Sequence, residues 1–372
     1  MSPFMSQLES ASASGRPLLD LTESRPARCG LVAEDDPVVG SPTADDVLAE
    51  KTAGTRGARE AIARYLGDRS VDLSRDRVVL TTSMHASYDL LLRLLCEPGD
   101  AVLVPWPCHP LLDPLAARRS VATLRYPLRY RGEWRLDRKA LARVVTPRTR
   151  AVVVASPANP TGALLSRDEL AFVEELCAAR GLALVGDEAY ADTALEPGPS
   201  VAAASRCLAF HLSGLSTVCG VPHRASWIAV AGPAPLVAAA RPRLESLAAE
   251  GPLVAPAAAR AVPALLARRE PFLELLRRRL SSSRAMLATA ALREAPWTLL
   301  WGGGGWFGVL QIGGAWEEEA LCLRLLDDGV VVRPGFLDGF GRSGYLVLSL
   351  LTDPATLAEA LERLERRLRA PV

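Results

Sequence analysis

Short, continuous apolar runs alternate with helical periodicity through the middle of the chain. Arg77 to Thr82 (RVVLTT) predicts a buried strand, and Ala101 to Pro105 (AVLVP) predicts a second. Between them the spacing predicts a helix over Ala86 to Cys96, stopped by the turn Pro98-Gly99-Asp100. The alternation continues with a strand over Arg150 to Ala155, a helix over Ser166 to Arg180, and strands over Ala183 to Gly186 and Ala225 to Val230. Runs that are apolar on both faces suit a parallel sheet covered by helices on both sides. A further helix is predicted from Arg56 to Leu66, after an irregular polar arm. Helices dominate from about residue 234. Strands over Trp306 to Ile312 and Tyr345 to Leu350 follow, and an amphipathic helix over Pro354 to Leu368 ends the pattern. The expectation is an α/β protein in three parts. Residues 1–50 form an arm and part of a small domain, 51–255 a large, mainly parallel α/β domain, and 256–372 a small α+β domain.

Composition narrows the function classes. The chain has 372 residues, 49% of them hydrophobic, and a net charge of +1 from 43 basic and 42 acidic side chains. A dedicated nucleic-acid binder would show a basic excess. No apolar run reaches the ~20 residues that span a bilayer. The start, MSPFMSQLESASASGRP, lacks the basic flank and apolar core of a secretory signal. Seven scattered cysteines without a CxxC pair fit reduced thiols and a cytoplasmic protein. The basic residues include two lysines, Lys51 and Lys139, so lysine chemistry has two candidates.

Two segments carry candidate chemistry. Ser156-Pro157-Ala158-Asn159-Pro160-Thr161-Gly162 follows a predicted strand and precedes a helix; its Asn-Pro-Thr-Gly is also an ordinary strand–helix turn. Gly186-Asp187-Glu188-Ala189-Tyr190 closes the strand ALVG. A carboxylate at the carboxyl end of a buried parallel strand lies where open α/β sheets bind ligands, and it needs a cation. Helix capping is the plainer role for the same aspartate.

With these motifs, and the 28-residue step from Asn159 to Asp187, the chain resembles the class I/II aminotransferases, fold-type I enzymes dependent on pyridoxal phosphate (PLP). The likeness extends over Gly15 to Arg25, Gly54 to Tyr65, Thr81 to Asp100, Gly303 to Ile312 and Arg333 to Leu351. It implies a fold-type I PLP-transferase-like architecture and a homodimer with its site at the subunit interface. It also implies that Asp187 pairs with the cofactor's ring nitrogen and that Asn159 and Tyr190 bond its phenolic oxygen. Ser83, Met84, His85, Ser213 and Arg224 would lie at its phosphate.

The departures from the resembled pattern are as informative. The Schiff-base lysine position reads Thr217, in Ser213-Gly214-Leu215-Ser216-Thr217. The ring-stacking aromatic reads His109, and the substrate-carboxylate arginine of the L-R-L-S strand is replaced in Leu346-Val347-Leu348-Ser349. Arg25, in the arm, is a candidate replacement clamp for a substrate carboxylate, and equally a solvated arm residue. His85 and His109 are candidate proton carriers beside Asp187, Tyr190 and Thr217. No metal-ligand spacing stands out. The main expectation is therefore an enzyme without a covalent cofactor, performing PLP-independent acid–base chemistry on an amino-acid-like small substrate in specialised biosynthesis. The alternatives are an enzyme that holds PLP or its amine form (PMP) non-covalently, of aminotransferase or dehydratase type, and a non-catalytic ligand-binding relative.

Overall fold

Apolar runs of five to seven residues are long enough to cross a sheet and too short for a helix, and they build its centre. The computed structural model describes residues 2–32, 53–221, 225–293, 295–313, 316–341 and 344–370. Fourteen strands fall into three sheets among these residues. The large sheet has the order β2 (Val78–Thr81), β9 (Ser226–Ala231), β8 (Ala209–Gly214), β7 (Ala183–Asp187), β6 (Thr149–Ala155), β3 (Ala101–Trp106), β4 (Ala122–Tyr130) and β5 (Trp134–Leu136). Strands β8, β7, β6, β3 and β4 run parallel, while β9 and β5 run against their neighbours. The sheet is thus mixed, with the expected parallel centre.

Alternate residues of these strands feed two cores. Val102, Val153, Val185 and Phe210 pack under α3 (Met84–Leu95) and α8 (Ala234–Glu250), beside α4 (Leu112–Arg118). Leu103, Val152, Val154 and Leu184 pack under α5 (Arg138–Val144) and α6 (Arg167–Arg180). Ser166 starts α6 with a reciprocal capping box to Glu169, which fixes where the helix leaves the β6 loop. Helices α2 (Arg56–Gly67), α7 (Leu215–Val218) and α9 (Pro256–Ala267) enclose a third cluster around Trp227 and Ile62.

The small sheet is antiparallel, in the order β10 (Trp297–Leu300), β11 (Phe307–Ile312), β14 (Tyr345–Ser349), β13 (Arg333–Pro334). It packs with α10 (Arg269–Ala291), α11 (Glu318–Asp327) and α12 (Pro354–Arg369). The chain start joins this core. β1 (Leu19–Asp20) pairs in parallel with β12 (Val330–Val331), and Phe4 and Leu21 are buried there.

Two features differ from the sequence reading. The arm is not wholly irregular, because α1 (Pro3–Ala13) forms behind the N-cap Ser2 and a proline in its first turn. Strands β4 and β8 were also hidden in the pattern. β8 contains His211 and Ser213, which break an apolar run although both are fully buried.

The two sheets meet through glycine. Gly162 has φ of +66°, and a Cβ on it would come within 2.5 Å of the Gly304 carbonyl oxygen. A Cβ on Gly304 would come within 2.5 Å of Pro157 Cγ. Backbones this close leave room for glycine alone. The loop after β6 is thereby seated against the run Gly302 to Gly305.

Candidate active site

Five strands end on one edge of the large sheet and deliver the candidate residues there. β2 ends at Thr81 and leads to Ser83, Met84 and His85 at the start of α3. β3 leads to His109, β6 to Asn159, β7 to Asp187 and Tyr190, and β8 to Ser213 and Thr217. Register locks these ends side by side: Ala155 lies opposite Asp187, and Asp187 opposite Leu212. The His109 amide donates to the Asn159 carbonyl oxygen at 2.9 Å, which ties the β3 and β6 loops together.

Asp187 accepts the Tyr88 hydroxyl at 2.9 Å and the Ala189 amide at 3.1 Å. No cation is paired with it among the described residues. Burial pushes its carboxyl above the usual range, and the two hydrogen bonds only partly oppose this. Asn159 Nδ2 approaches the Tyr190 hydroxyl at 3.5 Å, and Asn159 Oδ1 is buried without a partner among the described residues. Burial and Asp187 push the Tyr190 hydroxyl well above its ordinary value, while Arg333 pulls the other way. Trp306 stands edge-on to the Tyr190 ring, with centroids 4.8 Å apart.

His109 is 44% exposed, with Nδ1 3.5 Å from Asp338 Oδ1. Asp338 is 1% exposed and also lies 2.7 Å from Arg333 Nε. His85 sits exposed on the first turn of α3, and partial burial and the nearby His109 hold its imidazole below the usual value. A cavity of about 830 Å³ adjoins His85, Asp89, Arg93 and Arg119, but Asp187, Asn159 and Tyr190 do not line it.

Below this edge, Glu188 fixes the end of β7. It is 2% exposed and accepts the Val201 amide at 2.6 Å and the Ser200 hydroxyl at 3.1 Å. Arg69 Nη2 and His211 Nε2 both lie 3.6 Å from its other oxygen. Burial keeps His211 neutral, with its value lowered to about 3.

Other candidates are placed differently. Ser83 caps α3 through its side chain, and Met84 packs against the core beneath the helix. The Ser213 hydroxyl is buried without a partner among the described residues. The Thr217 hydroxyl donates to the Gly214 carbonyl oxygen at 3.1 Å. Arg25, 63% exposed, spends its guanidinium on Glu23, with Nε 2.8 Å from Oε1. Arg224 and Lys51 lie outside the described residues. Lys139 is exposed on α5, which leads into the opposite end of β6. Sequence reasoning missed Tyr88, Asp338 and Arg333. Of these only Arg333 gave a signal, as a charge directly behind the apolar run Val330 to Val332.

Among the described residues the edge offers a half-buried carboxylate with no cation opposite it, an amide oxygen and a hydroxyl without partners, and a phenol beside them. It also offers the start of α3, with amides that no helical carbonyl takes. This donor set fits a protonated pyridine ring with a phenolic oxygen and a phosphate. Fold and site together define an enzyme of the fold-type I PLP class. The chain belongs to the aminotransferase class I and II family, whose model matches residues 49–364.

Among curated relatives, arginine–pyruvate transaminase AruH of Pseudomonas aeruginosa is 29% identical over 337 residues, covering 86% of this chain and 83% of the relative. The probable N-succinyldiaminopimelate aminotransferase DapC of Mycobacterium tuberculosis is 36% identical over 174 residues, 43% of each chain. The solved N-succinyldiaminopimelate aminotransferase from M. tuberculosis superposes with a TM-score of 0.80 at 25% identity, covering 99% of this chain and 97% of that one. An aminotransferase from Escherichia coli gives 0.86 at 20% identity, covering 99% and 94%, and shows the fold.

These findings correct the main functional expectation. PLP-independent acid–base chemistry is overturned by relatives named as aminotransferases in a PLP-dependent family, and the view that the protein is no ordinary transaminase finds no support among them.

Proposed function

We propose that the protein binds PLP or PMP at the edge formed by Asn159, Asp187 and Tyr190, and exchanges an amino group between an amino acid and an oxo acid. The observation that carries this reading is Asp187, a cleft carboxylate held by Tyr88 and Ala189 with no cation opposite it among the described residues. When bound, the cofactor supplies an electron sink for the bond being broken at the substrate carbon.

The chain's own groups then have separate tasks. Asp187 keeps the ring nitrogen protonated. Asn159 and Tyr190 hold the phenolic oxygen. The amides of the first turn of α3 and the Ser213 hydroxyl receive the phosphate, with the helix dipole in their favour. His109, at the end of β3 beside the Asn159 turn, takes and returns a proton. The cofactor is held without a covalent bond: the β8–α7 segment carries Thr217 where the resembled enzymes carry their lysine, Lys139 faces solvent elsewhere, and Lys51 precedes α2 outside the described residues. The substrate is a small molecule, and the working form is a cytoplasmic homodimer closing the site between subunits.

The test is a titration of the purified chain with PLP, followed by dialysis and by borohydride reduction with intact mass. The expected results are a saturable change in absorbance, loss of cofactor on dialysis, an unchanged chain mass, and conversion of added PLP to PMP with an amino-acid panel. Absence of saturable binding overturns the reading, and a mass increase overturns its non-covalent part.

A further inference from the structure

We infer that Arg333 receives the carboxylate of the amino-acid or oxo-acid substrate, with Asp338 fixing its guanidinium. The inference rests on the proposed transamination and names the residue that recognises the substrate.

Arg333 heads β13 and is half-buried in the cleft between the two sheets. The Phe307 ring beside its guanidinium also stands edge-on to the Tyr190 ring, with centroids 6.3 Å apart, so Arg333 stands at the proposed cofactor's phenolic side rather than at α3. Asp338 meets it at Nε, at 2.7 Å. That contact leaves the end formed by Nη1 and Nη2 for a second carboxylate. Nη2 is shielded from water and has no hydrogen-bond partner among the described residues. Phe307 covers one face of the guanidinium, with its ring centroid 5.2 Å from Cζ. With that face covered, hydrogen bonding is confined to the edge, which is the geometry a planar carboxylate accepts.

Asp338 alone does not satisfy the guanidinium, whose Nε and Nη2 both lack a well-formed hydrogen bond among the described residues. Asp338 is buried, faces His109 at 3.5 Å as well as Arg333, and neither oxygen has a well-formed hydrogen bond. A substrate carboxylate on Arg333 completes the guanidinium's shell. Arg25, the arm candidate for this task, is already paired with Glu23.

Two inert probes isolate the carboxylate: N-phosphopyridoxyl-L-alanine and N-phosphopyridoxyl-ethylamine, which differ by that group alone. Calorimetry compares them on the full chain, on Arg333→Lys, and on the double variant Arg333→Gln/Asp338→Asn. The double variant removes both charges together, so no buried charge is left unpaired. The wild type is expected to prefer the alanine probe by roughly 10–100-fold. The double variant is expected to bind both probes equally, with the ethylamine probe unaffected. Arg333→Lys is expected to keep part of the preference and serves alone if the double variant does not fold. A full preference surviving in the double variant, or in Arg333→Lys where that variant stands alone, overturns the assignment, as does a wild type without preference. If neither probe nor PLP binds the wild type, the cofactor reading fails and takes this inference with it, a result unlike a lost preference.

Discussion

Arg333 lies directly opposite Val347 across the β13–β14 ladder. Opposed residues of an antiparallel pair share a face of the sheet. Val347 is 1% exposed and packs with Ala158 and Ala163, on either side of the Asn159 turn. The strand position that the resembled enzymes fill with arginine is therefore apolar here, and a guanidinium reaches the same cleft from the neighbouring strand.

Restoring arginine at the apolar position alone is expected to harm the protein. Val347→Arg places two guanidinium groups in register with Asp338 as their nearest counter-charge. The expected loss is about 3–5 kcal/mol of unfolding free energy, measured by urea denaturation. Exchanging the two residues, Arg333→Val with Val347→Arg, is expected to recover part of that loss.

Asp187→Asn separates stability from binding. A desolvated carboxylate without a cation costs free energy at neutral pH, so the cofactor-free variant is expected to gain about 1 kcal/mol. The carboxyl's folded value is raised, so the gain shrinks as pH falls toward it and the wild type protonates. PLP affinity is expected to drop at least ~10-fold, since a hydrogen bond to a charged group is lost. Denaturation across pH and cofactor titration check the two halves.

Thr217→Lys is expected to turn reversible cofactor binding into attachment. The side chain is half-buried and makes one hydrogen bond, to the Gly214 carbonyl oxygen, so the exchange costs about 1 kcal/mol. After borohydride treatment with PLP, intact mass should rise by one cofactor in the variant and stay constant in the wild type.

His211 predicts an acid sensitivity. Its folded value, about 3, lies below its ordinary one of 6.5, so the unfolded chain binds the extra proton between those limits. Stability is full above pH 6.5 and falls by roughly 1.4 kcal/mol per pH unit below it. Glu188, with a raised value, acts in the opposite sense. Comparing His211→Leu with the wild type by denaturation between pH 7.5 and 5 isolates the histidine, and the variant's slope should be flatter.

The parallel centre of the sheet was legible because β3, β6 and β7 are unbroken apolar runs with turn residues at their ends. Asn159, Asp187 and Tyr190 were legible because each follows such a run within a few residues. β8 was not, since His211 and Ser213 are polar residues whose burial is decided by neighbouring strands. Arg333 and Asp338 escaped for a related reason. Their partners are distant in sequence: Phe307 meets Arg333 only when the small sheet forms, and His109 meets Asp338 only when that sheet packs on the large one. Arg25 shows the converse: its composition suited a clamp, but Glu23, two residues away, takes the charge locally.

The seat of Gly162 against Gly302 and Gly304 also bears on how the cleft can open. A pivot needs slack, and two backbones separated by less than a methyl group have none. The seam therefore holds the Asn159 turn against the run Gly302 to Gly305, and the contact where Asp338 faces His109 is tied as well, because the Cys108 amide donates to the Asp338 carbonyl oxygen at 2.9 Å. A methyl added at the seam would push these two backbones apart and carry the Asn159 turn with one of them.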